Sequence, residues 1–179
     1  MNKNILILSG SPRKGANTDK LARSFKEGAE STGKEAIIFR AADMKLKGCQ
    51  GCNHCLEKNS GCVQQDDMLL LWDFLYKADT LVLASPVYFF GISAQLKLVI
   101  DRTYGLKKDA TNIKQAALLL TCADGTGNAA EGAIVMYKQM LAYRQWADIG
   151  IIVVPGLHNL DSIDEREELE QAWALGRKI

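Results

Sequence analysis

The sequence predicts an α/β fold, with a parallel β-sheet sandwiched between layers of helix. Two observations carry this. Short, unbroken apolar runs recur along the chain, the pattern of strands buried on both faces. Amphipathic stretches separate them, the alternation that builds β-α-β units. The 179 residues suit a single domain, 1–179, with a substantial core.

Ile5-Leu6-Ile7-Leu8 is the first strand, and it ends in the polar turn Ser9-Gly10-Ser11-Pro12-Arg13-Lys14-Gly15. A helix follows over about residues 17–32, with Leu21, Phe25 and Ala29 on one face. Ala36-Ile37-Ile38-Phe39 is the second strand. A cysteine-rich loop at about 47–65 then interrupts the alternation. Asp66 or Asp67 is positioned to cap the next helix, which carries Met68, Leu71, Trp72 and Leu75. Thr80-Leu81-Val82-Leu83-Ala84 is the third strand, closing on Ser85-Pro86-Val87-Tyr88. Residues 92–103 read as a helix and 115–121 as the fourth strand, with a loop at Ala123-Asp124-Gly125-Thr126-Gly127. A long helix over about 129–146, a fifth strand at Ile151-Ile152-Val153-Val154 and a charged helix at 164–175 complete the chain. In such sheets ligands bind beyond the carboxyl ends of the strands. The ends of strands 1, 3 and 4 all carry loop chemistry, and the cysteine loop follows strand 2 on the same edge.

Bulk properties narrow the function classes. Apolar residues make up 47% and charged residues 24%, an ordinary globular balance. Lys+Arg 22 against Asp+Glu 21 gives net +1, with no general attraction to nucleic acid or acidic membranes. No apolar run approaches the roughly 20 residues of a transmembrane helix. Met1-Asn2-Lys3-Asn4 leads straight into a strand without a signal-peptide pattern, so a cytoplasmic location is expected. No Ser/His/Asp or Cys/His nucleophilic set stands out, His158 has no evident base partner, and no acid–base catalytic residue is assigned.

Four of five cysteines lie in one short segment, Cys49-Gln-Gly-Cys52-Asn-His-Cys55 and then Cys62. C-x2-C-x2-C followed by a fourth cysteine is how a chain wraps a [4Fe–4S] cluster. Gly48, Gly51 and Gly61 would let the backbone curl around it. Three other readings stay open: cysteines kept without a cluster, structural zinc with His54 replacing a thiolate, and a C-x-x-C redox disulfide. A reducing compartment weakens the last.

The turn after strand 1 offers hydroxyls (Ser9, Ser11, Thr18), an amide (Asn17), a cation (Arg13) and backbone N–H groups at a helix N-terminus. Those are the needs of a phosphate monoester. The pattern is neither G-x-G-x-x-G nor a Walker A loop. An ordinary polar turn with a helix cap is the competing reading.

Gly10-Ser11-Pro12-Arg13 with Asn17-Thr18 resembles the phosphate loop of the NADPH-dependent FMN reductase family. Ser85 to Gly91, followed by Ser93-Ala94-Gln95-Leu96-Lys97 and Ile100-Asp101-Arg102, resembles that family's second flavin loop and its helix. Cys49 to Cys62 with Asp66-Asp67-Met68 resembles the iron–sulfur flavoprotein branch. The resemblance covers the chain to about residue 130. It implies a flavodoxin-like three-layer sandwich with a five-stranded parallel sheet in the order 2-1-3-4-5. It implies FMN, its phosphate held by Ser9, Ser11, Arg13, Asn17 and Thr18. Pro86, Val87, Tyr88, Phe89, Phe90 and Gly91 would border the ribityl chain and the rings, with Tyr88 tuning or gating them. Asp124 and Gly125 would approach the other side of the flavin, while lone Cys122 reads as a small buried residue. The implied activity is an oxidoreductase moving electrons between NAD(P)H or a reduced carrier and a flavin, quinone or iron–sulfur acceptor. Expected partners are a small-molecule or protein redox partner and a second copy, as a homodimer or homotetramer, with no nucleic acid and no membrane. An electron carrier without its own substrate and a redox sensor using the cysteine loop are the alternatives.

Overall fold

The computed structural model describes residues 4–58, 61–107 and 110–179. The strands are β1 (Asn4–Ser9), β2 (Glu35–Arg40), β3 (Thr80–Tyr88), β4 (Gly91–Ile92), β5 (Gln115–Thr121) and β6 (Ala147–Val154). The helices are α1 (Asn17–Glu30), α2 (His54–Glu57), α3 (Met68–Lys77), α4 (Ala94–Arg102), α5 (Glu131–Arg144) and α6 (Glu167–Arg177). Five strands run parallel in the order β2-β1-β3-β5-β6, and β4 folds back antiparallel on the end of β3. With that two-residue strand set aside, this is the flavodoxin-like order 2-1-3-4-5 expected above.

Strand side chains alternate between two buried faces, as a parallel sheet covered on both sides requires. Ile5, Ile7, Val82, Ala84, Ala117 and Leu119 pack under Leu21, Phe25 and Ala29 of α1 and Ala172 of α6. Leu6, Leu8, Leu81, Leu83, Leu118 and Leu120 pack under α3, α4 and α5 through Leu71, Leu96 and Tyr137. The Tyr137 hydroxyl donates to the Ala116 carbonyl at 2.7 Å and to Asp148 Oδ1 at 3.0 Å, so this buried phenol is satisfied.

Four local features differ from the sequence expectations. The aromatic run is a hairpin: Val87 pairs with Ile92 and Tyr88 with Gly91, leaving Phe89 and Phe90 as a two-residue turn. Their φ values are +45° and +67°, the left-handed geometry such turns demand and bulky side chains resist. The cysteine loop contains the short α2. β6 begins at Ala147, before the apolar run, because its first residues pair with β5 from Gln115 onward. The last helix starts at Glu167 because residues before it form turns and Arg166 enters it extended.

Sheet register aligns the carboxyl edge. Ser9 pairs with Ala84, Pro86 with Thr121, and Thr121 with Val154. The turns leaving β1, β3, β5 and β6 therefore meet at one place.

Candidate functional site

The β1–α1 turn is braced from beneath. Asp19, buried in the first turn of α1, accepts from the Ser9 hydroxyl at 2.9 Å and the Gly15 N–H at 2.8 Å. The Arg40 guanidinium also donates to Asp19, to Asp43 at 3.0 Å and to the Ser11 carbonyl at 3.2 Å. Gly10 sits where a Cβ would meet Ser93 Oγ at 2.4 Å and Leu96 Cβ at 2.6 Å, so only glycine lets α4 close against this turn. Ser93 caps α4, its hydroxyl donating to the Gly10 carbonyl at 2.7 Å and its N–H donating to Ser85 Oγ at 2.9 Å.

Above the brace lies a cleft of 270 Å³. Of the candidate residues, Ser11, Arg13, Asn17, Thr18, Pro86, Val87 and Tyr88 line it together, and Ala16, Thr121, Cys122, Ala123, Leu157, His158 and Leu160 complete it. Ser9 does not line it, since its hydroxyl is committed to Asp19. The Asn17 amide donates to the Asn159 carbonyl at 2.7 Å and accepts from the Ile163 N–H at 3.3 Å, fastening the segment after β6 beside the cleft. The hydroxyls of Thr18 and Thr121 meet at 2.7 Å. Phe89, Phe90, Gly91, Asp124 and Gly125 lie outside the lining; Phe89 is 97% exposed and Phe90 65% exposed. The Asp124 carboxylate serves its own loop, accepting from the N–H groups of Ala129 and Thr126 and from the Thr126 hydroxyl, and these donors hold it below the usual carboxylate range. Cys122 is buried, and burial pushes its thiol up.

Cleft chemistry matches a phosphate ester joined to a flat apolar group. Ala16, the N-cap of the 14-residue α1, offers no side-chain acceptor, so first-turn amides are left for an anion. Arg13 adds a cation, and Pro86, Val87 and Tyr88 supply apolar surface. These residues fit FMN.

A second cavity, of 140 Å³, is lined by Cys49, Cys52, Cys55 and Cys62 together with Gln64, Asp101, Arg102, Tyr104 and Gly105. The backbone reaches this arrangement through left-handed residues: Asn53 at φ +56°, Gly51 at +64° and Gly61 at +81°. Gly48, the third expected flanking glycine, has no such φ. Asp66 and Asp67 do more than start α3. Asp66 accepts from the Met68 N–H at 3.2 Å and the Lys47 N–H at 2.9 Å, and Asp67 accepts from the Lys45 N–H at 2.7 Å, so both tie down the strand-like approach to Cys49. Arg144 at the end of α5 donates to the Leu106 carbonyl at 2.6 Å and to the Thr103 carbonyl, fixing the opposite wall.

All four cysteines are free thiols, Cys55 and Cys62 half-buried, and burial pushes Cys55 up. They surround a space rather than a point: among the described residues, no three His, Cys, Asp or Glu side chains are grouped as a single metal ion needs. Four soft donors around one cavity, with a buried guanidinium among them, fit the donor set of an iron–sulfur cluster. Arg102, quoted in the helix motif but given no role there, was missed, as were Asp19 and Arg40. Each is recognisable only once the fold brings distant segments together.

The family model for NADPH-dependent FMN reductase matches residues 3–159. An iron–sulfur flavoprotein of Archaeoglobus fulgidus is 33% identical over 172 residues, 95% of this chain and 76% of that protein. Another, from Methanosarcina thermophila, is 30% identical over 148 residues, 82% of this chain and 74% of that protein. The solved structure of an NAD(P)H:quinone oxidoreductase from Methanothermobacter marburgensis superposes with a TM-score of 0.79, covering 99% of this chain and 97% of that one at 20% identity, which shows a shared fold. No helix among the described residues is long and apolar enough to cross a membrane. With a flavodoxin-like sheet, a cleft over the β1–α1 turn at its carboxyl edge and a family match over most of its length, the chain belongs to the NADPH-dependent FMN reductase family of oxidoreductases, among the relatives named iron–sulfur flavoproteins.

Proposed function

We propose that the chain is an FMN-dependent oxidoreductase that takes electrons from NAD(P)H or a reduced carrier and delivers them to a flavin, a quinone or an iron–sulfur acceptor. One observation carries the reading: an uncapped helix N-terminus, a cation and an apolar wall meet in one cleft at the carboxyl edge. In it, Ser11, Arg13, Thr18 and the first-turn amides of α1 hold the FMN phosphate, with Asn17 positioning the neighbouring segment. Pro86, Val87 and Tyr88 flank the ribityl chain and rings, and the Phe89–Gly91 hairpin and the Asp124–Gly125 loop stand at the rim. Bound FMN supplies hydride acceptance coupled to one-electron release. The thiols of Cys49, Cys52, Cys55 and Cys62 hold a [4Fe–4S] cluster. The relatives' names and the shape of the thiol cavity support this second part. The working unit is a single domain over 1–179 acting in the cytoplasm as a homodimer or homotetramer.

The test is an ultraviolet–visible spectrum of protein purified without oxygen, followed by steady-state NAD(P)H oxidation with flavin and quinone acceptors. Flavin bands with a broad shoulder bleached by dithionite, and turnover with NAD(P)H, are expected. Clean flavin bands alone would remove the cluster. Reduction only through a protein donor would replace the reductase by an electron carrier. Failure to bind added FMN would overturn the reading as a whole.

A further inference from the structure

We propose that Arg102, held by Asp66, is the fixed counter-charge of the thiol cavity: it positions the Cys62 sulfur and makes reduction of a cluster held there easier. The inference rests on the cluster reading above.

Arg102 ends α4, with its side chain 0% exposed and that of Asp66 7% exposed. One terminal nitrogen donates to Asp66 Oδ2 and reaches the Lys47 carbonyl at 3.5 Å. The other donates to Cys62 Sγ and to the Gln64 carbonyl, each at 3.5 Å. One guanidinium thus joins the residues before Cys49 to those after Cys62. Burial by itself would raise the Asp66 carboxyl, but the Arg102, Lys47 and Met68 donors outweigh it and hold it below the usual range.

Stability alone does not explain this pair. Replacing a buried ion pair with apolar residues is often neutral or favourable, so an ion pair kept in a wall calls for another cause. One polar atom points to that cause: Arg102 Nε, a donor in the lining of the thiol cavity, is buried and without a hydrogen-bond partner among the described residues. Such orphans are rare in folded proteins. The wall therefore holds one N–H donor of a cation that the described residues do not use. An anionic, sulfur-rich occupant supplies the acceptor that Arg102 Nε lacks.

The redox consequence follows from charge. One electron from an external reductant adds one negative charge to a cavity already holding thiolates. No bond breaks and no proton is required. A fixed cation stabilises the reduced form more than the oxidised one, and a hydrogen bond to a ligating sulfur acts in the same sense. Removing Arg102 therefore lowers the reduction potential.

The test compares wild type, Arg102→Lys, and the double variant Arg102→Gln with Asp66→Asn, which buries a neutral pair instead of a lone charge. Each is reconstituted anaerobically with iron and sulfide. Iron content, midpoint potential and iron loss to a chelator are measured, with FMN affinity reporting the fold. The double variant is expected to load but to reduce at lower potential. Arg102→Lys is expected to regain most of the potential yet lose iron several-fold faster, because one ammonium cannot span Cys62, Gln64 and Asp66. A loaded double variant with the wild-type potential would overturn the role of Arg102 and leave the cluster reading intact. If the double variant does not load, Arg102→Lys decides: iron loss as slow as in wild type overturns the positioning role, and faster loss supports it. A wild-type chain that takes up no iron overturns both readings.

Discussion

Asp19→Asn tests whether the phosphate loop is held from beneath rather than by its own turn residues. The substitution keeps the size and shape of a side chain that is 7% exposed. Its amide oxygen can still accept from the Gly15 N–H and from Arg40, which share one carboxylate oxygen in the native protein. Both bonds lose their charged acceptor, at about 1 kcal/mol each from the difference between charged and neutral hydrogen bonds. The new NH2 group must face Ser9, whose hydroxyl can turn to accept but then leaves its own proton unpaired, adding about 1 kcal/mol. Arg40 keeps Asp43 and the Ser11 carbonyl, which limits the loss. The total is about 2–3 kcal/mol, a large share of a stability usually between about 5 and 15 kcal/mol. At a urea slope of about 2 kcal/mol/M the apo-protein midpoint falls by about 1–1.5 M. FMN affinity falls roughly tenfold or more, since the Ser11 carbonyl and the Gly15 N–H set the loop's path. Urea unfolding followed by tryptophan fluorescence gives the first number and flavin fluorescence quenching the second. A midpoint within about 0.3 M of wild type, with unchanged FMN affinity, would refute the argument.

Four further outcomes follow from the geometry. Gly10→Ala drives a methyl group into Ser93 Oγ and Leu96 Cβ, so overpacking of about 1–3 kcal/mol should appear as a lowered Tm. Replacing Phe89-Phe90 by Asn-Gly relieves two left-handed bulky residues; thermal melting should show a gain of about 1–2 kcal/mol, while weaker FMN retention would reveal what the strained turn is kept for. Tyr137→Phe leaves the Ala116 carbonyl and Asp148 without their phenol donor, costing about 1–2 kcal/mol in chemical denaturation with FMN affinity unchanged. The Asp124 carboxyl is held below its ordinary 3.8, so the native loop binds protons more weakly than the unfolded chain. Its contribution is therefore present above that value and lost as pH falls through the lower folded value. Urea midpoints measured from pH 6 downward should show a wild-type advantage over Asp124→Asn that closes only in this acid window.

The alternation of buried strands and amphipathic helices was legible because both periods are local, and it sufficed for the sheet order once the resemblance was added. The lining that the β1–α1 turn gives the cleft was legible for the same reason: Ser11, Arg13, Asn17 and Thr18 are neighbours in sequence and stay neighbours in the cleft. What escaped was long-range. Asp19 looked like one more acid in a first turn, and its role depends on Arg40 at the far end of β2. Ser9 looked like a phosphate donor and is instead spent on Asp19. The segment carrying Leu157, His158 and Leu160 joins the cleft because β6 ends beside β5, which the rule about strand ends could have flagged had it been applied to the fifth strand as well. The aromatic hairpin escaped for a different reason. Phe-Phe is a poor turn sequence, so no local propensity points to it.

The two cavities share no lining residue among those described; α4 lines only the second, through Asp101 and Arg102, while its N-cap packs on the turn beneath the first. Its N-cap, Ser93, binds the Gly10 carbonyl and Ser85 where the cleft's first and second loops meet. Its last residue, Arg102, reaches Cys62 and Asp66. The helix of nine residues spans about 13 Å at 1.5 Å per residue. So short a helix, buried on Leu96, Val99 and Arg102, links the two places as one packed element. The cysteine segment, which in sequence looks like an insertion after β2, is therefore fastened to the same element that packs against the β1–α1 turn at Gly10.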